Sequence, residues 1–272
     1  MPVARLRTGV SLPYAVSGSH AGAPVLLLHA WVESAGCFDR LVASLPESIR
    51  AFAMDQRGHG AADKPAAGYA LRDFADDVVA FMDAVDVPAA VLLGSSSGGY
   101  VAQEVAISSP SRVAGLVLVG SPRSLQGRPS FVDEVGRLTD PVDRGWVRES
   151  ITWFPRFHAV PDSYVEDRIS DGVRVPAHVW RDALMGLTTA QPPTDTATIE
   201  APTTIIWGSR DELLTRADQE SLSAAIPGSR LVTYDGTGHL VLWEQPDRVA
   251  TDLVDFVEAL STPHSAETPE GV

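Results

Sequence analysis

The chain has 272 residues, 44% hydrophobic and 21% charged, the balance of a globular protein with enough apolar material for a sizeable core. A formal net charge of −14 repels phosphate backbones and anionic lipid surfaces, which sets aside nucleic-acid and peripheral-membrane partners. Apolar runs such as Val25–Leu28 and Val117–Val119 fall far short of the roughly 20 residues that span a bilayer, so no integral membrane protein is expected.

In chain order, Val25–Leu28 and Ala51–Met54 read as buried strands. Leu71–Val85 follows as a helix, with Phe74, Val78, Phe81, Met82 and Val85 at three- and four-residue spacing and acids opposite. Ala90–Leu93 is a third strand, Tyr100–Ser108 a helix and Leu116–Val119 a fourth strand. Thr203–Trp207 and Arg230–Tyr234 repeat the type, and Pro246–Leu260 closes as a helix with proline in its first turn. Strands apolar on both faces, alternating with amphipathic helices, predict an α/β fold: a doubly wound, mostly parallel sheet.

The stretch from Ser121 to Pro202 breaks that rhythm. Helix-like pieces recur at Phe131–Leu138, Arg144–Phe154, Asp162–Ile169 and Ala177–Leu187, and strand signal is scarce. We expect residues 1–121 and 203–260 to form the core and residues 122–202 an inserted helical cap, the alternative being a small helical domain that only packs. Residues 261–272, rich in Ser, Thr, Pro and Glu, are expected to be a flexible tail. No secretory signal is visible, and the one cysteine, Cys37, cannot make an internal disulfide. A cytoplasmic, reducing compartment is therefore expected, with Cys37 a small buried hydrophobe.

Chemistry concentrates where strands end. Gly94-Ser95-Ser96-Ser97-Gly98 lies between a strand and a helix, a turn sharp enough to project Ser96 from the sheet edge and make it a candidate nucleophile. A serine hydroxyl needs a base to take its proton and an acid to orient that base. His239, in Asp235-Gly236-Thr237-Gly238-His239, follows the strand Arg230–Tyr234, at the edge where open α/β sheets place ligands. Asp211 follows Thr203–Trp207 within Trp207-Gly208-Ser209-Arg210-Asp211. Glu212 and Asp235 are its rivals, Asp235 being close to His239 along the chain, and the loop Gly120–Ser124 contains no carboxylate, so Asp211 is the expected acid. Backbone donors for an oxyanion are expected at Ser97, just after the nucleophile, and at Trp31, in the loop His29-Ala30-Trp31-Val32. His29 reads as a structural residue holding that loop.

Together with Asp55-Gln56-Arg57-Gly58-His59-Gly60, these motifs resemble the α/β-hydrolase superfamily from about Val10 to Leu260. Within it the chain is similar to cofactor-free bacterial serine esterases of the aryl-esterase and haloperoxidase-like group and to enol-lactone hydrolases. Ala30 departs from the glycine usual in their H-G-W loop. The resemblance implies a cofactor-independent hydrolase that cleaves a small carboxylic ester or lactone through an acyl-enzyme on Ser96. Carbon–carbon bond hydrolysis and a hydrolase-like ligand-binding protein remain as alternatives. Serine at the elbow disfavours dehalogenases and epoxide hydrolases, which use aspartate there.

No H-E-x-x-H, C-x-x-C or G-x-G-x-x-G pattern occurs, so no metal or nucleotide cofactor is expected. A cap over the cleft would supply an apolar pocket, for which Trp31, Trp153, Phe154, Trp180 and Met185 are the candidates. An acidic surface disfavours anionic substrates, and Arg123, Arg128 and Arg156 are the cap cations that could reverse this locally. Oligomeric state, including a homo-oligomer, is left open.

Overall fold

A computed structural model describes residues 1–127 and 130–261, so Arg128 and the tail from residue 262 onward lie outside the described residues. The chain opens with two strands, β1 (Val3–Arg5) and β2 (Ser11–Ser17), followed by β3 (Ala23–Leu28), a short helix α1 (Asp39–Val42) and β4 (Ile49–Met54). Then come α2 (Leu71–Ala84), β5 (Ala90–Ser95), α3 (Ser97–Ser108) and β6 (Val113–Val119). Four helices follow: α4 (Val132–Val135), α5 (Arg144–Ser150), α6 (Asp162–Arg174) and α7 (Ala177–Thr189). The chain re-enters the sheet with β7 (Thr203–Gly208), α8 (Arg216–Ala225) and β8 (Arg230–Tyr234), then ends on α9 (Val241–Glu244) and α10 (Pro246–Ser261).

The strands form one eight-stranded sheet in the order β1-β2-β4-β3-β5-β6-β7-β8. β1 and β2 are antiparallel additions at one edge and all remaining pairings are parallel. The α/β expectation is met, and the antiparallel pair is new. β1 has only three residues, and β2 carries Pro13 and half-exposed positions, so neither shows the apolar run that marks an interior strand.

Side-chain alternation divides the core in two. Leu26, Leu28, Leu92, Leu116 and Leu118 face one layer, which includes Phe74, Phe81 and Val105 from α2 and α3. Val25, Leu27, Leu93, Val117 and Val119 face the other, against Leu41 of α1 and Val249, Leu253 and Phe256 of α10. Successive residues of a strand point to opposite faces, so a sheet covered on both sides must be apolar at every position.

Among the described residues between β6 and β7 there is no strand, and α4 to α7 occupy that stretch. α8 escapes the sequence reading because it is polar, with only Gln219 and Leu222 buried. Its start is nonetheless written in the chain, since Thr215 and Asp218 form a reciprocal N-terminal cap.

The strand order decides where a site can form. From β3 the chain goes to β4 on one side and then to β5 on the other, so the loops after β3 and β5 diverge and leave a crevice at the carboxyl edge. Register brings the strand ends level: Leu28 pairs with Gly94, Ser95 with Val119, and Gly208 with Tyr234.

Candidate active site

β5 runs two residues further than its apolar stretch, and α3 begins at Ser97, so Ser96 alone makes the turn. It holds φ 49° and ψ −118°, a conformation that costs a non-glycine residue roughly 1–3 kcal/mol. Its N–H donates to the Val119 carbonyl at 2.8 Å, tying the strained residue to β6. Gly94 and Gly98 make the turn possible. A Cβ on Gly98 would sit 2.1 Å from the Leu28 carbonyl oxygen, and one on Gly94 would lie 2.4 Å from the Gly99 backbone.

His239 arrives from the loop after β8, with its Nε2 3.0 Å from Ser96 Oγ. Its Nδ1 lies 2.7 Å from Asp211 Oδ2. Asp211, in the loop after β7, is itself fixed: its Oδ1 accepts the backbone N–H groups of Leu213 and Leu214, both at 2.9 Å. Asp211 and His239 are buried, whereas the rivals Glu212 and Asp235 are exposed, Asp235 accepting from Ser209 Oγ. The three candidates come together across 143 residues of sequence. An imidazole held between a hydroxyl and a carboxylate can take the hydroxyl proton, while the carboxylate sets the tautomer and supports the imidazolium.

The loop after β3 is held by His29. Its Nδ1 donates to the Ala30 carbonyl at 2.8 Å, its Nε2 accepts from the Gln56 backbone N–H at 3.0 Å, and Gln56 Nε2 donates to the His29 carbonyl at 2.7 Å. Burial pushes its pKa down to about 4, so it stays neutral. The loop then turns tightly, with β-branched Val32 at φ 61°. Ser97 is the first residue of α3, so its N–H has no acceptor within the helix. The Trp31 N–H, expected to face an oxyanion, instead donates to Ser97 Oγ at 2.7 Å. An oxyanion at Trp31 has to share or displace that hydroxyl.

A cavity opens over Ser96 and His239, lined largely by apolar side chains that include Trp31, Ile151, Trp153, Phe154 and Trp180. The Phe154 ring lies 5.3 Å from the His239 ring, centre to centre. Met185 does not belong to this lining. It is 55% exposed, because α7 turns Trp180, Ala183, Leu184 and Leu187 inward and leaves Met185 on the outer face. Nor do Arg123 or Arg156 reach the cavity: Arg123 pairs with Asp195, and Arg156 is exposed.

A family model described as alpha/beta hydrolase fold matches residues 23–246. The chain belongs to the alpha/beta hydrolase fold family. A non-heme chloroperoxidase of Streptomyces lividans is 28% identical over 92% of this chain and 97% of its own length. A 3-oxoadipate enol-lactonase of Acinetobacter baylyi is 26% identical over 87% and 89%. Among solved structures, an esterase from Exiguobacterium antarcticum superposes with a TM-score of 0.82 at 22% identity, covering 94% of this chain and 98% of that one. That last likeness shows the fold.

Three polar residues of this hydrolase-fold chain were not foreseen. Glu244, on α9, accepts the Gly238 N–H through Oε1 and the Phe157 and His158 N–H groups through Oε2, joining the histidine loop to the helical stretch. Glu33 borders the cavity and accepts from the Ala30 N–H and from Trp243 Nε1. Arg168, on α6, borders it too. Its sequence signal is an Arg and an Asp three residues apart on the apolar face of a helix, where the side chains of Arg168 and Asp171 lie buried as an ion pair. No helix among the described residues is long and apolar enough to cross a membrane.

Proposed function

We propose that the chain is a serine hydrolase acting on a small carboxylic ester or lactone. Ser96 Oγ attacks the acyl carbon as His239 Nε2 takes its proton, and Asp211 holds the imidazole and stabilises its charge. The proton returns to the leaving alkoxide. Water, deprotonated in the same way, then cleaves the acyl-enzyme. The tetrahedral intermediates are stabilised by the Ser97 N–H, with Trp31 as the second donor. The single observation that carries this reading is the relay Ser96–His239–Asp211, at 3.0 and 2.7 Å, opening onto an apolar cavity. Residues 122–202 act as the cap, since Trp153, Phe154 and Trp180 of that stretch border the cavity.

The test is turnover of p-nitrophenyl esters and aryl lactones by the wild type and by Ser96→Ala. We expect hydrolysis by the wild type and a loss of about a million-fold in the variant, with unchanged thermal melting, because one hydroxyl is removed from a turn. A fluorophosphonate probe should label Ser96 alone. Retention of a tenth of the activity in the variant would reject the assignment.

A further inference from the structure

The cavity over Ser96 is apolar apart from a few groups, and its ionisable side chains are Glu33, Arg168 and His239. His239 faces Ser96 and Asp211. Both Glu33 oxygens already accept, from the Ala30 N–H and from Trp243 Nε1. Arg168 is the exception. Its side chain is 6% exposed and its Nη2 pairs with Asp171 Oδ2 at 3.0 Å, but Nε and Nη1 meet no acceptor among the described residues.

Neighbours hold this guanidinium in place. The Tyr164 ring lies 5.0 Å from it, and Gly36 gives it room, since a Cβ there would fall 3.0 Å from Nη2. Asp171, its charged partner, is itself fixed by the Ser34 hydroxyl at 2.7 Å. Buried donors without acceptors are costly, and a guanidinium cannot lower that cost by losing its proton. Two fixed, unfilled donors on a residue that borders the cavity over Ser96 constitute a recognition element.

We infer that Arg168 determines specificity, and that the substrate carries, besides its ester or lactone, a second and uncharged oxygen acceptor such as a ketone, hydroxyl or ether. This rests on the serine-hydrolase reading above. The charge balance selects a neutral acceptor over a carboxylate. Glu33 and Asp171 already set two buried carboxyl groups against one buried guanidinium, Arg174 beside Asp171 at 3.4 Å being largely exposed, and a third carboxylate would be buried among like charges. A carbonyl or hydroxyl oxygen fills the donors and adds no charge.

The experiment compares p-nitrophenyl 4-oxopentanoate with the isosteric 4-methylpentanoate and with the hydrogen succinate, then places the same end groups on the alcohol half of acetate esters. A hydrogen bond to a charged donor predicts kcat/KM about tenfold or more higher for the keto ester than for its isostere in one of the two series, with no such gain for the succinate. In the double variant Arg168→Met with Asp171→Asn, which removes the buried pair together, that ratio should fall close to one. If this variant does not fold, the wild-type ratios decide.

A ratio near one in both series with an active wild type overturns the inference, as would a preference for the succinate or a keto preference that survives in the folded double variant. In the first case a buried water serves Nε and Nη1. Inactivity towards every ester would sink the hydrolase reading and this inference with it, which separates the two failures.

Discussion

Asp211 illustrates how much a single atom decides. Its Oδ1 is committed to the Leu213 and Leu214 N–H groups, so only Oδ2 is left to receive His239 Nδ1–H. In Asp211→Asn the oxygen keeps the two backbone bonds and an NH2 group faces Nδ1. The imidazole then turns its proton towards Ser96, where it cannot act as base. We predict normal melting and a fall in kcat of about ten-thousand-fold, measured on a p-nitrophenyl ester. The exposed Glu212, changed to Gln, should leave kcat within twofold. A crippled Glu212→Gln enzyme beside an active Asp211→Asn one would place the acid one residue later.

At the scale of elements, the aromatic residues of the helical stretch divide into two kinds. Trp180 on α7 is 1% exposed, donates through Nε1 to the Gly172 carbonyl, and packs edge-on against Trp31 and Trp146 at 4.9 and 5.1 Å. It borders the cavity but also ties α7 to α6. Trp153 is half-buried and stacks on Phe131 at 4.4 Å, bordering the cavity without a comparable structural load. Trp180→Ala should therefore destabilise by about 3–5 kcal/mol, read by urea unfolding, and lower activity on all esters alike. Trp153→Ala should melt near the wild type and raise KM for bulky aromatic esters against acetate esters. Losing roughly 80 Å² of apolar contact at ~25 cal/mol per Å² costs about 2 kcal/mol, some thirtyfold in affinity. An unchanged KM ratio in Trp153→Ala would mean that substrate does not reach that ring.

Across the whole molecule, buried histidines set the response to acid. Burial pushes the pKa of His29 down to about 4 and that of His59 to about 3. Below about pH 6.5 the unfolded chain takes up protons at these residues while the folded chain does not, so stability is present at neutral pH and lost as pH falls towards 4 and then 3. Glu33 and Asp171, whose carboxyls burial raises, act in the opposite sense and offset part of the loss. For His29 alone the linkage amounts to something on the order of 3 kcal/mol across that window. The check is urea unfolding of the wild type and His29→Gln at pH 7, 6 and 5. The variant is less stable at pH 7, having lost the Gln56 and Ala30 bonds, and the gap should narrow as the pH falls. Parallel curves would show that His29 does not couple to acid unfolding.

The interior strands, the long helices and the positions of Ser96, Asp211 and His239 after strands were legible in the chain itself. Each depends on local pattern: apolar runs of strand length, 3.6-residue periodicity, and glycines on both sides of a turn. β1 and β2 were not legible, because an edge pair is held by its partner β4 and not by an apolar run of its own. Its place after β7 favoured Asp211 over Glu212 and Asp235 in the sequence, but the direction each side chain faces is seen only in the tertiary structure, where Asp211 turns inward. Tertiary structure also decided that Met185 faces outward while Trp180, five residues earlier on the same helix, faces the cavity. Arg168 is the extreme case. Its local signal is no more than an Asp three residues further on, and only packing α6 over the β3 loop buries it with two donors unfilled. Local physics writes elements and turns into a sequence, but burial and pairing arise from contacts between distant segments, and those exist only once the chain has folded.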